Sequence, residues 1–260
     1  MSADAPLDPA VDPALGEALA ALASRARLLV ALDFDGVLAP IVERPDQARP
    51  LPASARAVSA LAAADGVTVA LVSGRSLADL RAVADPPPSV VLVASHGAEV
   101  DGVPTELDDA QRSLLAQVVE GLGAVVAAHE GTALERKPAG AVLHTRSASP
   151  DVGAEATAAA LTGPATLPGV RALRGKEVVE LSVVTADKGS AVAALRERLG
   201  ADAVLFAGDD VTDEHAFAVL DDGAGDVGVK VGEGETAARH RVADPQAVAA
   251  LLTELATLRS

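Results

Sequence analysis

The 260-residue sequence has no cysteine, no tryptophan and no tyrosine, and it has only three phenylalanines. Without cysteine there is no disulfide bond, no thiolate metal site and no cysteine nucleophile, which fits a reducing compartment. The scarcity of aromatic rings removes the stacking platforms that proteins use to bind bases. Because 50% of the residues are hydrophobic, we expect an ordinary globular core built from Ala, Val and Leu.

Basic residues are also scarce, since 21 Lys and Arg face 37 Asp and Glu and give a formal net charge of −16. Such a charge repels nucleic acid and anionic lipid over the chain as a whole. The N-terminus lacks the basic segment and apolar run of a signal peptide, and apolar stretches stop short of the roughly 18 residues that a membrane helix needs. We expect a soluble, cytoplasmic monomer that binds no nucleic acid and no membrane.

Short apolar runs alternate with Ala-rich helical stretches over most of the chain. The runs are typical of strands buried on both faces, and they cover residues 28–32, 67–72, 90–94, 203–207 and 227–231. Strands that alternate with helices predict an α/β fold with a doubly wound parallel sheet. The helical stretches lie around 54–64, 76–84, 188–199 and 212–220.

The middle of the chain has a different pattern, which predicts an inserted α+β domain. We expect two helices there and strands near 124–130, 140–147, 169–173 and 177–183. The predicted organisation is an N-terminal tail and helix over 1–27, a core over 28–103 and 185–260, and a cap over 104–184.

Two acidic clusters follow buried strands. In Asp33-Phe34-Asp35-Gly36 the two carboxylates are two residues apart, so they project to the same side of an extended chain. One carboxylate can then attack a substrate while the other transfers protons. The alternative is an Asp pair that caps a turn before Gly36.

The second cluster contains Asp209, Asp210 and Asp213 and follows the run 203–207. Ends of parallel strands meet at one crevice, where facing carboxylates repel each other unless a cation lies between them. Oxygen ligands without cysteine favour Mg²⁺ over zinc. The alternative for Asp210 and Asp213 is to cap the following helix.

Polar residues stand at two further element ends. Ser73, Gly74 and Arg75 follow the run 67–72, and this junction can hold a phosphate, although the default interpretation is a turn with Ser76 as helix N-cap. Lys188 begins a helix, where the positive end of the helix dipole disfavours a cation. A nearby anion would explain its position, and a solvated surface Lys is the alternative.

The order Asp-x-Asp, Ser, Lys and Gly-Asp-Asp-x-x-Asp resembles the haloacid dehalogenase superfamily of phosphatases. The resemblance implies that Asp33 is the nucleophile, that Asp35 is the general acid and then the base, and that Ser73 and Lys188 bind phosphate. It further implies that Mg²⁺ binds Asp33, Asp209 and the backbone carbonyl of Asp35. Gly36, Asp210 and Asp213 take supporting positions. Val37 replaces the Thr that is often found in this family.

Seven stretches resemble the trehalose-6-phosphate phosphatase family more closely. They are Leu32-Asp-Phe-Asp-Gly, Val72-Ser-Gly-Arg, His96-Gly-Ala-Glu, Glu135-Arg-Lys, His144-Thr-Arg, Gly175-Lys-Glu-Val-Val-Glu-Leu and Gly208-Asp-Asp-Val-Thr-Asp-Glu-His-Ala-Phe. The resemblance implies a sugar phosphate substrate and a functional link to a trehalose-6-phosphate synthase. The implied substrate-binding residues are Arg75, Glu135, Lys137, His144, Arg146, Lys176 and Glu180. Ser182-Val183 departs from the family, which commonly has a basic residue and Pro there.

Three other functions stay open. The chain could act on another sugar phosphate, such as sucrose phosphate or a mannosyl-glycerate phosphate. It could be a non-catalytic regulatory homologue, or a receiver-like signalling module, although a receiver would have about half this length and no cap. The charged residues of the predicted cap could also simply form the solvated face of an antiparallel sheet.

Overall fold

The computed structural model describes residues 12–103 and 105–260, so the predicted tail before Asp12 lies outside the described residues. These residues form two compact units. The core unit contains Asp187–Ser260 and the described part of Met1–Asp101, and the insert unit contains the described part of Gly102–Ala186. The insert unit thus differs from the predicted cap, residues 104–184, by two residues at each end.

Eleven strands are present in the described residues. In chain order they are β1 (Leu28–Leu32), β2 (Val67–Val72), β3 (Val91–Ala94), β4 (Glu99–Val100), β5 (Ala133–Lys137), β6 (Gly140–His144), β7 (Arg171–Gly175), β8 (Val178–Ser182), β9 (Ala203–Gly208), β10 (Val227–Val231) and β11 (His240–Val242). The core unit holds a sheet of order β11-β10-β9-β1-β2-β3-β4, in which only β4 pairs antiparallel. The predicted parallel sheet is confirmed.

Eight helices accompany the strands in the described part of the chain. They are α1 (Pro13–Ala23), α2 (Pro52–Ala63), α3 (Leu77–Ala84), α4 (Asp109–Ala128), α5 (Pro150–Thr162), α6 (Lys188–Leu199), α7 (Glu214–Phe217) and α8 (Pro245–Leu258). In β1, Leu28, Val30 and Leu32 pack with buried residues of α1, α2, α3 and α8, whereas Leu29 and Ala31 pack with α6 and α7. Burial on both faces explains the unbroken apolar run.

The insert unit is built from an antiparallel sheet of order β5-β6-β8-β7 and two helices. Alternate strand residues such as Leu143, Val179 and Leu181 share a core with α4 and α5. The residues between them, such as Glu135 and Glu180, therefore project from the other face of the sheet. The predicted α+β insertion is confirmed.

One predicted element is wrong, and another is shorter than predicted. The strand predicted near 124–130 is the end of α4, and the strand that follows is β5. The helix predicted over 212–220 is a 3-10 turn, Val211–Asp213, followed by the single turn of α7. In that turn the Asp213 carboxylate accepts hydrogen bonds from the amides of Asp209 and Asp210 at 2.9 Å each.

Three elements were not predicted, namely β4, β11 and α8. Both strands are very short, with two and three residues, and they carry too little pattern to be recognised. Among residues 12–103 and 105–260, no helix is long and apolar enough to cross a membrane.

Candidate active site

The carboxyl ends of three neighbouring strands bring the predicted core-unit residues together. Leu32, the last residue of β1, pairs with Leu71 of β2 and with Ala207 of β9. Asp33, Ser73 and Asp209 come one or two residues after these positions, so they lie at one edge of the sheet. This is the edge at which open α/β sheets bind ligands.

Asp33 is held by a buried lysine. Lys188 Nζ donates hydrogen bonds to Asp33 Oδ2 at 2.8 Å and to Asp213 Oδ1 at 2.7 Å, and its side chain is only 2% exposed. The other oxygen of Asp33, Oδ1, accepts a hydrogen bond from the Phe34 amide at 2.6 Å. Lys188 is therefore not a solvated surface lysine, because two carboxylates face it at the start of α6.

Asp209 lies beside the loop that follows β1. A Cβ placed on Gly36, whose φ is +74°, would stand 2.1 Å from Asp209 Oδ2, so only glycine leaves room for this carboxylate. The buried Lys230 of β10 contacts the backbone carbonyl of Asp209 through Nζ. Each of Asp33, Asp209 and Asp213 has a carboxylate oxygen within 4.8 Å of the others, a spacing that could hold a metal ion.

The charges of this cluster are poorly balanced without a further cation. Burial raises the pKa of Asp33 well above its ordinary value, although Lys188 opposes the shift. Burial and the neighbouring Asp213 raise the pKa of Asp209 to about 6. Burial acts to lower the pKa of Lys188, but Asp33 and Asp213 together outweigh it and raise that pKa. Carboxylates with raised pKa values at such spacing are typical of functional sites.

Asp35 is paired with Arg75. Arg75 donates from Nε and Nη2 to the two oxygens of Asp35 at 2.6 and 2.7 Å, and from Nη1 to Asp79 at 2.6 Å. The guanidinium carbon lies 5.4 Å from the centroid of the Phe34 ring, which supports it from one face. The structure thus places Arg75, a predicted substrate-binding residue, on the predicted acid–base residue.

Ser73 and Ser76 separate into two roles. Ser73 is 2% exposed, and its Oγ accepts a hydrogen bond from the Arg75 amide at 3.3 Å, within the turn after β2. Ser76 caps α3, because its Oγ accepts from the Asp79 amide at 3.3 Å. Asp210 likewise acts as a cap, since its side chain accepts from the Val211 amide at 2.6 Å.

Four of the residues predicted to bind sugar share the face of the insert sheet that is turned away from α4 and α5. Lys137 Nζ donates to both oxygens of Glu180, at 3.1 and 3.0 Å, and both side chains are largely buried. His144 Nε2 donates to Glu135 Oε2 at 2.8 Å, which lowers the pKa of Glu135. Lys137 and Glu180 are thus too buried for a solvated face, whereas the side chains of His144 and Glu135 are 41% and 36% exposed.

The two remaining predicted sugar ligands lie in loops. Arg146 follows β6 and pairs with Glu177 at 3.4 Å, and the exposed Lys176 lies in the turn between β7 and β8. Ser182, where the sequence departs from the family, closes the end of β8, because its Oγ lies 3.3 Å from the Ala139 carbonyl and 3.1 Å from that of Val184.

Sequence reasoning missed two residues of the core-unit site and undervalued a third. Asp79 stands four residues after Arg75, a helical spacing that could have suggested the pair. Lys230 interrupts the apolar run 227–231, and a lysine buried in such a strand needs an acceptor. The sequence predicted only a supporting role for Asp213, yet this residue is fully buried and contacts Lys188.

Comparison with known proteins identifies the family of this chain. The model of the trehalose-phosphatase family matches residues 31–248. The trehalose-6-phosphate phosphatase of Escherichia coli is 35% identical over 217 residues, which cover 81% of this chain and 80% of that protein. A protein of Thermoproteus tenax named bifunctional trehalose-6-phosphate synthase/phosphatase is 34% identical over 238 residues, 88% of this chain and 32% of that protein. The chain spans half of the length of other curated relatives.

A solved structure supports the fold. The C-terminal domain of Candida albicans trehalose-6-phosphate phosphatase superposes with a TM-score of 0.74 at 24% identity, over 97% of this chain and 99% of that one. At this identity the likeness concerns the fold alone. The family model, however, spans both units and every residue of the core-unit site described above. The chain therefore belongs to the trehalose-phosphatase family.

Proposed function

We propose that this chain hydrolyses trehalose 6-phosphate to trehalose and phosphate, with Asp33 as the nucleophile. The observation that carries the proposal is the Asp33 carboxylate itself, buried at the end of β1 and held by Lys188 at 2.8 Å. A carboxylate attacks a phosphate dianion only where positive charge offsets the repulsion. Lys188 is the buried cation nearest to that chemistry.

The residues present also fit a Mg²⁺ ion. Three carboxylates with oxygens within 4.8 Å of one another outnumber the two buried lysines beside them, Lys188 and Lys230, and oxygen donors are those that Mg²⁺ prefers. Asp33, Asp209 and the backbone carbonyl of Asp35 would hold the ion. When bound, Mg²⁺ supplies positive charge to the phosphoryl oxygens.

Asp33 and Asp35 carry out different steps of the proposed reaction. Asp33 forms a bond to phosphorus as the bond from phosphorus to the sugar oxygen breaks, which yields an aspartyl-phosphate. Asp35 gives its proton to the leaving sugar oxygen, because an alkoxide leaves poorly. It then takes a proton from the water that attacks phosphorus, which releases phosphate and restores Asp33.

Arg75 positions Asp35. Its guanidinium donates to both oxygens of Asp35, so it fixes the orientation of the carboxyl group that exchanges protons with the sugar oxygen and the water. Asp79 accepts from the remaining guanidinium nitrogen, Nη1, and holds Arg75 in turn.

The charged pairs of the insert unit would recognise the sugar. Glu135, Lys137, His144 and Glu180 offer acceptors and donors on one face of the sheet, as hydroxyl-rich ligands require. A site built to hydrogen-bond hydroxyls discriminates strongly against ligands that lack them. The name of the Thermoproteus tenax relative also supports a link to a synthase that supplies trehalose 6-phosphate.

Phosphate release from four substrates tests the proposed function. We expect Mg²⁺-dependent release from trehalose 6-phosphate, weaker release from sucrose 6-phosphate, glucose 6-phosphate and an aryl phosphate, and none in EDTA. Asp33→Asn keeps the shape of the side chain and removes the nucleophile, so turnover should fall at least about 1,000-fold, which corresponds to roughly 4 kcal/mol.

Asp85→Asn is the matched control, because Asp85 is exposed at the end of α3 and Asn tolerates its left-handed φ of 41°. We expect this variant to retain wild-type activity.

Preference of the wild type for another sugar phosphate would leave Asp33 as nucleophile and overturn the sugar assignment. Inactivity of the wild type on all four substrates would favour a regulatory role.

A further inference from the structure

The stretch His96-Gly97-Ala98-Glu99 has no role in the chemistry above, yet its first two residues belong to an unusual turn. Ser95, His96 and Gly97, between β3 and β4, have φ angles of +48°, +55° and +109°. Non-glycine residues rarely adopt this region, and two in succession cost free energy that the surroundings must offset. Strain of this kind concentrates at sites where geometry matters.

One side of this turn holds the loop after β2. The amides of Ser95 and His96 donate to the carbonyls of Arg75 and Ser73 at 2.8 and 3.0 Å. A Cβ on Gly74 would lie 2.4 Å from His96 Cε1, so the imidazole packs directly on Gly74. The turn thereby fixes the backbone on both sides of the proposed phosphate ligand Ser73.

The other side of the turn contacts the beginning of α6. A Cβ on Gly97 would lie 2.6 Å from the Asp187 carbonyl oxygen and 3.0 Å from Ala191 Cβ. Asp187 is the N-cap residue immediately before Lys188. The turn therefore packs against the backbone next to each of the two proposed phosphate ligands, Ser73 and Lys188.

A buried hydrogen bond anchors the turn from within. Ser95 Oγ donates to Glu99 Oε1 at 2.5 Å, and both residues are buried. Glu99 belongs to β4, which pairs back onto β3, so the two ends of the turn are held by the sheet. With both ends fixed, the turn acts as a rigid spacer.

We propose that Ser95–Gly97 is a positioning element that sets the distance between Ser73 and Lys188, with His96 and Gly97 as its positioning residues. The inference rests on the proposed function, because it assumes that these two side chains bind one phosphoryl group. Oxygens of a single phosphoryl group can reach both ligands only if the ligands are correctly spaced. A misplacement of about 1 Å can cost about 100-fold in such a site.

Gly97→Ala tests the spacing. The new methyl group must push Asp187 away from the turn, so we expect the Kd of inorganic phosphate, measured by calorimetry with Mg²⁺ present, to rise at least about tenfold. The KM for trehalose 6-phosphate should rise with it. The Kd of Mg²⁺ should stay within about twofold, because the atoms nearest to the new methyl group belong to Asp187 and Ala191 and not to a proposed Mg²⁺ ligand. General damage to the fold would weaken the binding of both ligands.

Gly234→Ala is the matched control. Its φ of +108° equals that of Gly97 within a degree, and no heavy atom of the described residues beyond its chain neighbours lies within 4 Å of its Cβ position. The control therefore places a methyl group at the same φ without the collision. We expect wild-type phosphate affinity from this variant.

His96→Asn decides the question if Gly97→Ala does not fold. Asn tolerates the left-handed conformation and removes the imidazole from Gly74, so the Kd of phosphate should rise several-fold. Unchanged phosphate affinity in a folded Gly97→Ala variant, or in His96→Asn, would overturn the proposal. A wild type that neither binds phosphate nor hydrolyses the ester would instead contradict the proposed function.

Discussion

At the scale of single residues, Lys137 and Glu180 provide the sharpest test of sugar recognition. Glu180 neutralises Lys137, whose side chain is 5% exposed. Glu180→Gln removes that charge and an acceptor for sugar hydroxyls, so kcat/KM for trehalose 6-phosphate should fall about 100-fold. An aryl phosphate lacks the sugar, and its kcat/KM should change less than about threefold. Steady-state kinetics on both substrates measure the difference.

Glu155→Gln serves as the control, because Glu155 is an exposed residue of α5 in the same unit. We expect it to behave as the wild type on both substrates. Equal losses on the two substrates in Glu180→Gln would contradict a role in sugar recognition and would indicate damage to the phosphate site instead.

The meeting of Asp33, Ser73 and Asp209 could be predicted from the sequence, because residues after parallel strands gather at one edge. The sequence did not, however, predict which side chain each of these residues contacts. Nothing local in the sequence indicates that Arg75 contacts Asp35, 40 positions away, with the same guanidinium that contacts Asp79. Such pairs depend on rotamers and tertiary packing, which strand and helix periodicity does not encode.

At the scale of elements, the strands buried on both faces were the easiest to predict. The ends of β1, β2 and β10 agree with the prediction. β1 is an unbroken apolar run, which is typical of a buried strand in an α/β protein, whereas Thr68 and Lys230 are the polar residues of β2 and β10. The error at 124–130 arose from Val125 and Val126, which are β-branched. Val118, Leu122 and Val125 are buried at helical spacing, so packing against the insert sheet overrides that preference.

The capping box of α4 offers a prediction at this scale. Asp108 accepts from the Gln111 amide at 2.7 Å while Gln111 Oε1 accepts from the Asp108 amide at 3.0 Å. Asp108→Ala should lower the free energy of unfolding by about 1 kcal/mol in urea titrations. Asp109→Ala, the neighbouring control with a side chain that is 99% exposed, should lower it by less than about 0.5 kcal/mol. Equal losses of unfolding free energy in the two variants would show that the capping box does not stabilise the protein.

At the scale of the whole molecule, the net charge of −16 acts on a substrate that is itself an anion. The repulsion is long-ranged, and salt screens it, since the Debye length falls from about 30 Å at 0.01 M to about 8 Å at 0.15 M. Lys188 does not cancel this long-range repulsion, because Asp33 and Asp213 offset its positive charge at close range. Association with the phosphate ester should therefore become faster as salt is added.

We expect kcat/KM for trehalose 6-phosphate to rise about two- to threefold between about 10 and 150 mM NaCl, with free Mg²⁺ kept saturating. A parallel series in KCl separates screening from an effect of sodium, because both salts screen equally. A fall in kcat/KM with salt would mean that the cations near the site, Lys188, Lys230 and Arg75, attract the substrate more strongly than the remaining charge repels it. In that case the local field, and not the net charge, would govern how the substrate reaches Asp33.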